Sequence, residues 1–144
     1  MKYILFLLAG YCSADVIVTG YCNADVIVAC TLILEAGGEN ARGAMEAVYE
    51  VISERAAKRN LSLREVCLQP NQFSCWKSKR YDILIAHAKK HPKYNKALNI
   101  VRSNPNNNIT KGADHFTRSD SKPYWVKYMT LTAIIGNHAF YKSQ

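Results

Sequence analysis

Two carboxyl groups flank a pair of glycines early in the chain, and their setting suits acid–base chemistry. Glu35 closes an almost wholly apolar run over 26–34, and Gly37, Gly38 and a second acid, Glu39, follow at once. A carboxyl at the end of a buried helix is partly desolvated, and desolvation favours its protonated form. Such a group, opening onto a cleft at a glycine break, can serve as a general acid near neutral pH. Glu35 is therefore the first candidate catalytic residue.

The elements that must position Glu35 are predicted to be mainly helical. The apolar run predicts a first helix that is capped by Asp25 and ends near Ala36. Apolar spacing and a Ser62–Glu65 capping box predict further helices over 41–59, 62–68, 81–90 and 93–102. Residues 111–121 read as irregular, and 124–133 fits either helix or strand. We expect a single, mainly α domain (α+β) with at most a small β element.

A loop over 69–76 is unusually rich in amides and aromatic rings. Gln72 and Phe73 could form one wall of a sugar-binding groove, because amides bond N-acetyl groups and an aromatic face packs on a sugar ring. The alternative is that the aromatic residues plug the core. The two readings are balanced for Phe73, and the plug is favoured for Trp76.

The chain has 144 residues, 49% of them hydrophobic, and a formal net charge of +8. This composition is typical of one globular domain with an anionic partner. Basic and aromatic residues do not form a known nucleic-acid motif, so cell-wall polymer is favoured over nucleic acid.

His87 and His91 have a metal-compatible spacing but lack the acid of HExxH chemistry. We therefore expect no metal and no cofactor.

The N-terminus has the order of features of a secretory signal peptide. A positive Met1-Lys2 precedes an apolar stretch over 3–9, which is too short to span a membrane, and small residues follow. A nine-residue segment at 10–18 recurs at 20–28 with one difference, which indicates a tandem duplication with cleavage after Ala14 or Ala24. We expect residues 1–24 to be removed and 25–144 to be exported to the periplasm, the cell envelope or the medium.

Five cysteines are present, and cleavage after Ala24 would leave three of them. In an oxidising compartment Cys67 and Cys75 could form a disulfide, with Cys30 buried as a small hydrophobic residue.

Three ordered sequence blocks carry a family resemblance. They are Glu35-Ala36-Gly37-Gly38-Glu39, then the loop 69–76, then 112–116 with Pro123, Trp125 and the closing segment 135–141. Taken together, they resemble the SleB-type cell wall hydrolases, the catalytic domains of spore cortex-lytic and related phage and bacterial peptidoglycan hydrolases. The resemblance implies a lysozyme-like or lytic-transglycosylase-like fold. Its catalytic acid falls on Glu35, although Gly37 stands where the family often has arginine.

The resemblance implies that the enzyme cleaves the bond between N-acetylmuramic acid and N-acetylglucosamine. In a lytic transglycosylase one carboxyl acts first as acid and then as base. Glu39, the second carboxyl of the first block, is a possible second acid or a substrate contact. The resemblance places His115 and Tyr141 in the substrate groove. It implies that Trp125, Gly136 and His138 are structural or site-ordering residues. We expect a monomer that acts on peptidoglycan glycan strands.

Two other functions stay open on the sequence. One is a zinc amidase that cuts the N-acetylmuramoyl–L-alanine bond, which needs metal ligands that the sequence does not show. The other is a non-catalytic, cationic wall-binding module, which the positive charge permits.

Overall fold

The computed structural model describes residues 23–144. The signal-peptide prediction falls almost wholly outside these residues. Its last two positions are the exceptions: Asn23 caps the first helix and Ala24 begins it. No helix in the described part of the chain is long and apolar enough to cross a membrane.

Five α-helices precede a three-stranded antiparallel sheet, and two 3-10 turns connect the elements. The helices are α1 (Ala24–Ala36), α2 (Ala44–Arg59), α3 (Leu63–Leu68), α4 (Tyr81–Lys89) and α5 (Tyr94–Ser103). The strands are β1 (His115–Arg118), β2 (Met129–Ile135) and β3 (His138–Ser143), in the order β1-β3-β2. The 3-10 turns are Ser74–Trp76 and Tyr124–Tyr128. The predicted α+β class with a small β element is confirmed.

Helix α1 is the centre of the fold because it is apolar on nearly all of its faces. Its middle residues are fully buried, and it contacts all four other helices. The sheet packs separately against α2, where Phe140 meets Ala47 and Val51. The catalytic candidate Glu35 therefore stands at the end of the most buried element in the described chain.

Three local predictions differ from the structure. The N-cap of α1 is Asn23, whose side chain accepts the backbone N–H of Val26, and not Asp25. Helix α2 begins at Ala44 because Gly43 adopts a left-handed conformation with φ +83°. Strand β1 lies within the segment predicted to be irregular, since a four-residue strand is defined by its pairing with β3 more than by its own sequence.

Candidate active site

Glu35 is half-buried, and its carboxyl group is only partly satisfied. Its Oε1 atom is buried and has no hydrogen-bond partner among the described residues. Leaving a carboxylate oxygen without a donor is costly, so such an atom is typical of a position where a ligand completes the hydrogen bonding. The structure therefore agrees with the partly desolvated setting that the sequence predicts for Glu35.

The Cys75 thiol is a neighbour of Glu35 that the sequence did not single out for chemistry. The raised pKa of Cys75 has burial as its largest cause, followed by the charge of Glu35 and a side-chain hydrogen bond to it. The thiol therefore stays protonated beside the Glu35 carboxyl group. The signal for this contact lay in the loop 69–76, but only the three-dimensional structure brings that loop to the end of α1.

Trp76 explains how Cys75 reaches Glu35. Its indole Nε1 donates to Thr31 Oγ1 at 3.1 Å, and Thr31 itself donates to the carbonyl of Ile27 at 2.9 Å. Thr31 lies one helical turn before Glu35, so this bond holds the 3-10 turn Ser74–Trp76 along the same side of α1. The indole is 5% exposed, and the predicted core role of Trp76 is what the structure shows.

Cys67 and Cys75 are free thiols in the structure, in contrast to the disulfide considered from the sequence. The two side chains have other partners. The Cys67 thiol is fully buried beside Thr31, and burial raises its pKa to about 12. Cys75 instead faces Glu35.

Arg55 is a buried cation close to the same carboxyl. Burial lowers its pKa to about 10, the charge of Arg59 adds to this lowering, and the charges of Asp114 and Glu35 oppose it. Its Nε donates to the carbonyl of Asp114 at 2.6 Å, and its guanidinium lies 5.3 Å from the centroid of the Phe73 ring. Arg55 thus connects the sheet to the aromatic loop, and the charge of Glu35 acts on it more weakly.

The loop 69–76 contributes more to the core than to an open wall. Phe73 is 3% exposed and packs between Arg55 and Phe116, 6.3 Å from the latter ring. Gln72 is half-buried, and its Oε1 accepts a hydrogen bond of 2.7 Å from Arg59. The structure thus favours the core role for Phe73.

Glu39 is held by the turn between β2 and β3. Its Oε2 accepts the backbone N–H of Asn137 at 3.3 Å, and its Oε1 lies 3.9 Å from His138 Nδ1. Gly136 has φ +58°, and a Cβ there would lie 2.5 Å from Glu39 Oε2, so the close approach requires glycine. The carboxylate of Glu39 thereby docks the sheet at the β2–β3 turn. The site-ordering roles of Gly136 and His138 stay predictions.

The two faces of the sheet separate the remaining predicted site residues. Because side chains alternate along a strand, the register His115↔Tyr141 and Phe116↔Phe140 puts these pairs on opposite faces. Phe116, Phe140 and His138 form one aromatic cluster, with Phe116 5.4 Å from His138. On the other face Trp125 contacts His115 at 5.4 Å and Tyr141 at 5.5 Å. His115 and Tyr141 are therefore brought to each other, on the face opposite Phe116.

Asp114 is the main residue that the sequence analysis overlooked. It is 4% exposed, and its carboxylate accepts bonds from Lys58 Nζ at 2.8 Å, Ser143 N at 2.9 Å and the Ser143 hydroxyl, with His115 Nδ1 at 3.0 Å. Together with the Arg55 bond to its carbonyl, these contacts join α2 to β1 and β3. As an acidic residue directly before β1, Asp114 could have been selected from the sequence as a candidate. Its network could not, because Lys58 and Ser143 are distant from it in sequence.

The helical core with a small sheet, and a half-buried acid at the end of the central helix, define a lysozyme-like α+β fold. This fold is similar to the catalytic domain of the germination-specific lytic transglycosylase SleB from Bacillus anthracis, with a TM-score of 0.63 and 20% identity over 85% of this chain and 98% of that one. The catalytic domain of the Bacillus cereus SleB protein gives a TM-score of 0.59 and 21% identity, over 85% and 93% of the respective chains.

A sequence profile of the cell wall hydrolase family matches residues 38–141, well over half of the chain. The chain therefore belongs to the cell wall hydrolase family and is a peptidoglycan-cleaving enzyme, as the three sequence blocks predicted. Glu35 lies three residues before the matched range. Among curated proteins none matches this chain.

Proposed function

We propose that this enzyme cleaves the glycan strand between N-acetylmuramic acid and N-acetylglucosamine as a lytic transglycosylase, with Glu35 as its acid and base. The observation that carries the proposal is the Glu35 carboxyl: half-buried at the end of α1, with Oε1 buried and without a partner among residues 23–144. The solved structures with this fold include a lytic transglycosylase. Since peptidoglycan lies outside the cytoplasmic membrane, the predicted export fits this substrate.

The reaction requires a single carboxyl. Protonated Glu35 donates its proton to the glycosidic oxygen, the bond from this oxygen to the muramyl C1 breaks, and positive charge develops on the sugar. The resulting Glu35 carboxylate then removes the proton of the muramyl 6-hydroxyl, whose oxygen bonds to C1 and closes a 1,6-anhydro ring. Glu35 ends protonated, and no water is consumed. A two-carboxyl hydrolysis would need a second acid in addition to Glu35. The carboxylate of Glu39, the candidate for that role, accepts the N–H of Asn137 in the β2–β3 turn.

Mass analysis of the products tests the reaction class. Digestion of purified peptidoglycan should release muropeptides that are lighter by one water than the hydrolysed products, because the ring closure replaces the attack of water. Muropeptides of hydrated mass would instead make the enzyme a muramidase. An intact glycan with freed peptides would make it an amidase; among residues 23–144, no three His, Cys, Asp or Glu side chains form a group that could hold a metal ion.

A further inference from the structure

A cleft with a cationic lining lies beside the last residue of α1. Its volume is about 310 Å³, and it lies between the end of α1, the loop 37–43, the start of α2 and the start of α5. Ala36, the residue after Glu35, forms part of its wall. We call it the cationic cleft; its polar lining is formed by Glu39, Asn40, Arg42, Lys93 and Lys96.

The positive charges of this cleft exceed the negative charges that face it. Lys96 pairs with Glu46 at 3.3 Å, which offsets one of the three cations. Lys93 donates from Nζ to the backbone carbonyl of Glu39 at 2.6 Å, a bond that fixes the ammonium without neutralising it. Arg42 is exposed, and no carboxylate of residues 23–144 lies within 4.0 Å of its guanidinium.

Glu39, the acid in the lining of the cleft, does not cancel this excess of positive charge. The Glu39 carboxylate turns to the β2–β3 turn, where it accepts the N–H of Asn137 and packs on Gly136. Ala44 and Met45, the first residues of α2, also line the cleft, so the positive end of the helix dipole adds to the attraction for an anion.

We infer that the cationic cleft binds a carboxylate of the peptide stem of peptidoglycan, with Arg42 and Lys93 as the contacting cations, since neither forms an ion pair within the described chain. This inference rests on the proposed function. The stem is attached to the muramic acid at the bond being cleaved, and it carries free carboxylates. A muramic acid bound at Glu35 would therefore present an anionic peptide close to Ala36. Arginine is well suited to this role because its guanidinium donates to a carboxylate in a bidentate geometry.

The test compares two forms of the same glycan. Purified peptidoglycan, stripped of other wall polymers, is used either with its stem carboxylates free or after these carboxylates have been converted to amides. Replacing both cations, Arg42→Gln with Lys93→Gln, should lower kcat/KM on the free-carboxylate glycan about tenfold, the scale of one lost charge-assisted contact. On the amidated glycan the rate should change less than about twofold. The control Lys89→Gln with Lys90→Gln removes two exposed charges at the end of α4 and should affect neither substrate.

A binding measurement separates this inference from the proposed function. A free stem tetrapeptide should bind the unmodified enzyme more tightly than the same peptide with its carboxyls amidated, and the double variant should lose that preference. Because no bond is cleaved, this result is independent of the reaction catalysed. Since Lys93→Gln also alters the bond to the Glu39 carbonyl, Arg42→Gln alone should show the same trend more weakly.

Equal losses on the free-carboxylate and amidated glycans would overturn the inference, as would equal binding of the two peptides. A rate loss that appears only on walls that retain phosphate-containing polymers would also overturn it, and would assign the cleft to those polymers instead.

Discussion

Glu35→Gln is expected to lower lysis of purified peptidoglycan by roughly 10³-fold, the scale of a lost general acid. The amide has nearly the shape of the carboxyl but can neither donate a proton to the glycosidic oxygen nor remove one from the muramyl hydroxyl. The fold should survive, because Glu35 Oε1 has no partner to lose within the described chain. Release of soluble muropeptides measures the activity, and thermal unfolding measures the stability.

Two further carboxyls give the controls for this variant. Glu54→Gln alters a partly exposed acid of α2 that pairs with Lys58 and should leave lysis unchanged. Glu39→Gln keeps an oxygen that can accept the N–H of Asn137, so a loss of less than about tenfold is expected if Glu39 only docks the sheet. Retained lysis in Glu35→Gln would refute the assignment, and equal losses at the two positions would favour a two-carboxyl mechanism.

Asp114→Ala is expected to be the most destabilising single change in the sheet region. It removes the acceptor for Lys58, for both the N–H and the hydroxyl of Ser143, and for His115. Breaking a buried network of this kind leaves donors without partners, and the free energy of unfolding should fall by about 3 kcal/mol at pH 7. Urea unfolding provides the measurement. Asp120→Asn, which alters an exposed pair with Arg118, should leave the urea midpoint unchanged.

The effect of Asp114 should depend on pH in a defined direction. Burial alone would raise its pKa, but the hydrogen bonds from His115, Lys58 and Ser143 outweigh burial and hold the pKa of Asp114 well below its usual range. A lowered pKa in the folded state means that the carboxylate stabilises the fold above the unfolded pKa of about 4, and that this contribution is lost as pH falls below it. The difference in stability between the unmodified protein and Asp114→Ala should therefore shrink between pH 4 and pH 2. A constant difference would contradict the role of the ionised network.

The helices could be predicted because their determinants are local. The capping box at Ser62 and Glu65 forms as predicted, with Glu65 Oε2 accepting the Ser62 N–H at 2.7 Å. Apolar spacing placed α2 within three residues at its start, and the shift there came from the conformation of Gly43. The segment 111–121 was less predictable, because β1 exists only through pairing with β3.

The candidate site, like the fold, could be predicted only where its determinants are local in sequence. Glu35 could be selected from its neighbours in sequence, since an apolar helix followed by two glycines already implies a partly desolvated carboxyl at a chain break. The grouping of Gln72, Phe73, His115 and Tyr141 into one groove could not be tested without the sheet. The register of β1 and β3 turns His115 and Tyr141 to the face opposite Phe116, which packs near Phe73.

The sequence by itself determined the helical class and the family, and it selected Glu35 as the candidate acid, because these follow from residues that are close along the chain. Only the tertiary structure decided that Cys75 faces Glu35, that Glu39 docks the β2–β3 turn, and that Asp114 joins α2 to the sheet. The cationic cleft also exists only when α1, α2 and α5 meet. The physical reason is that hydrogen bonds and ion pairs are short-ranged, so their partners depend on how elements far apart in sequence pack together.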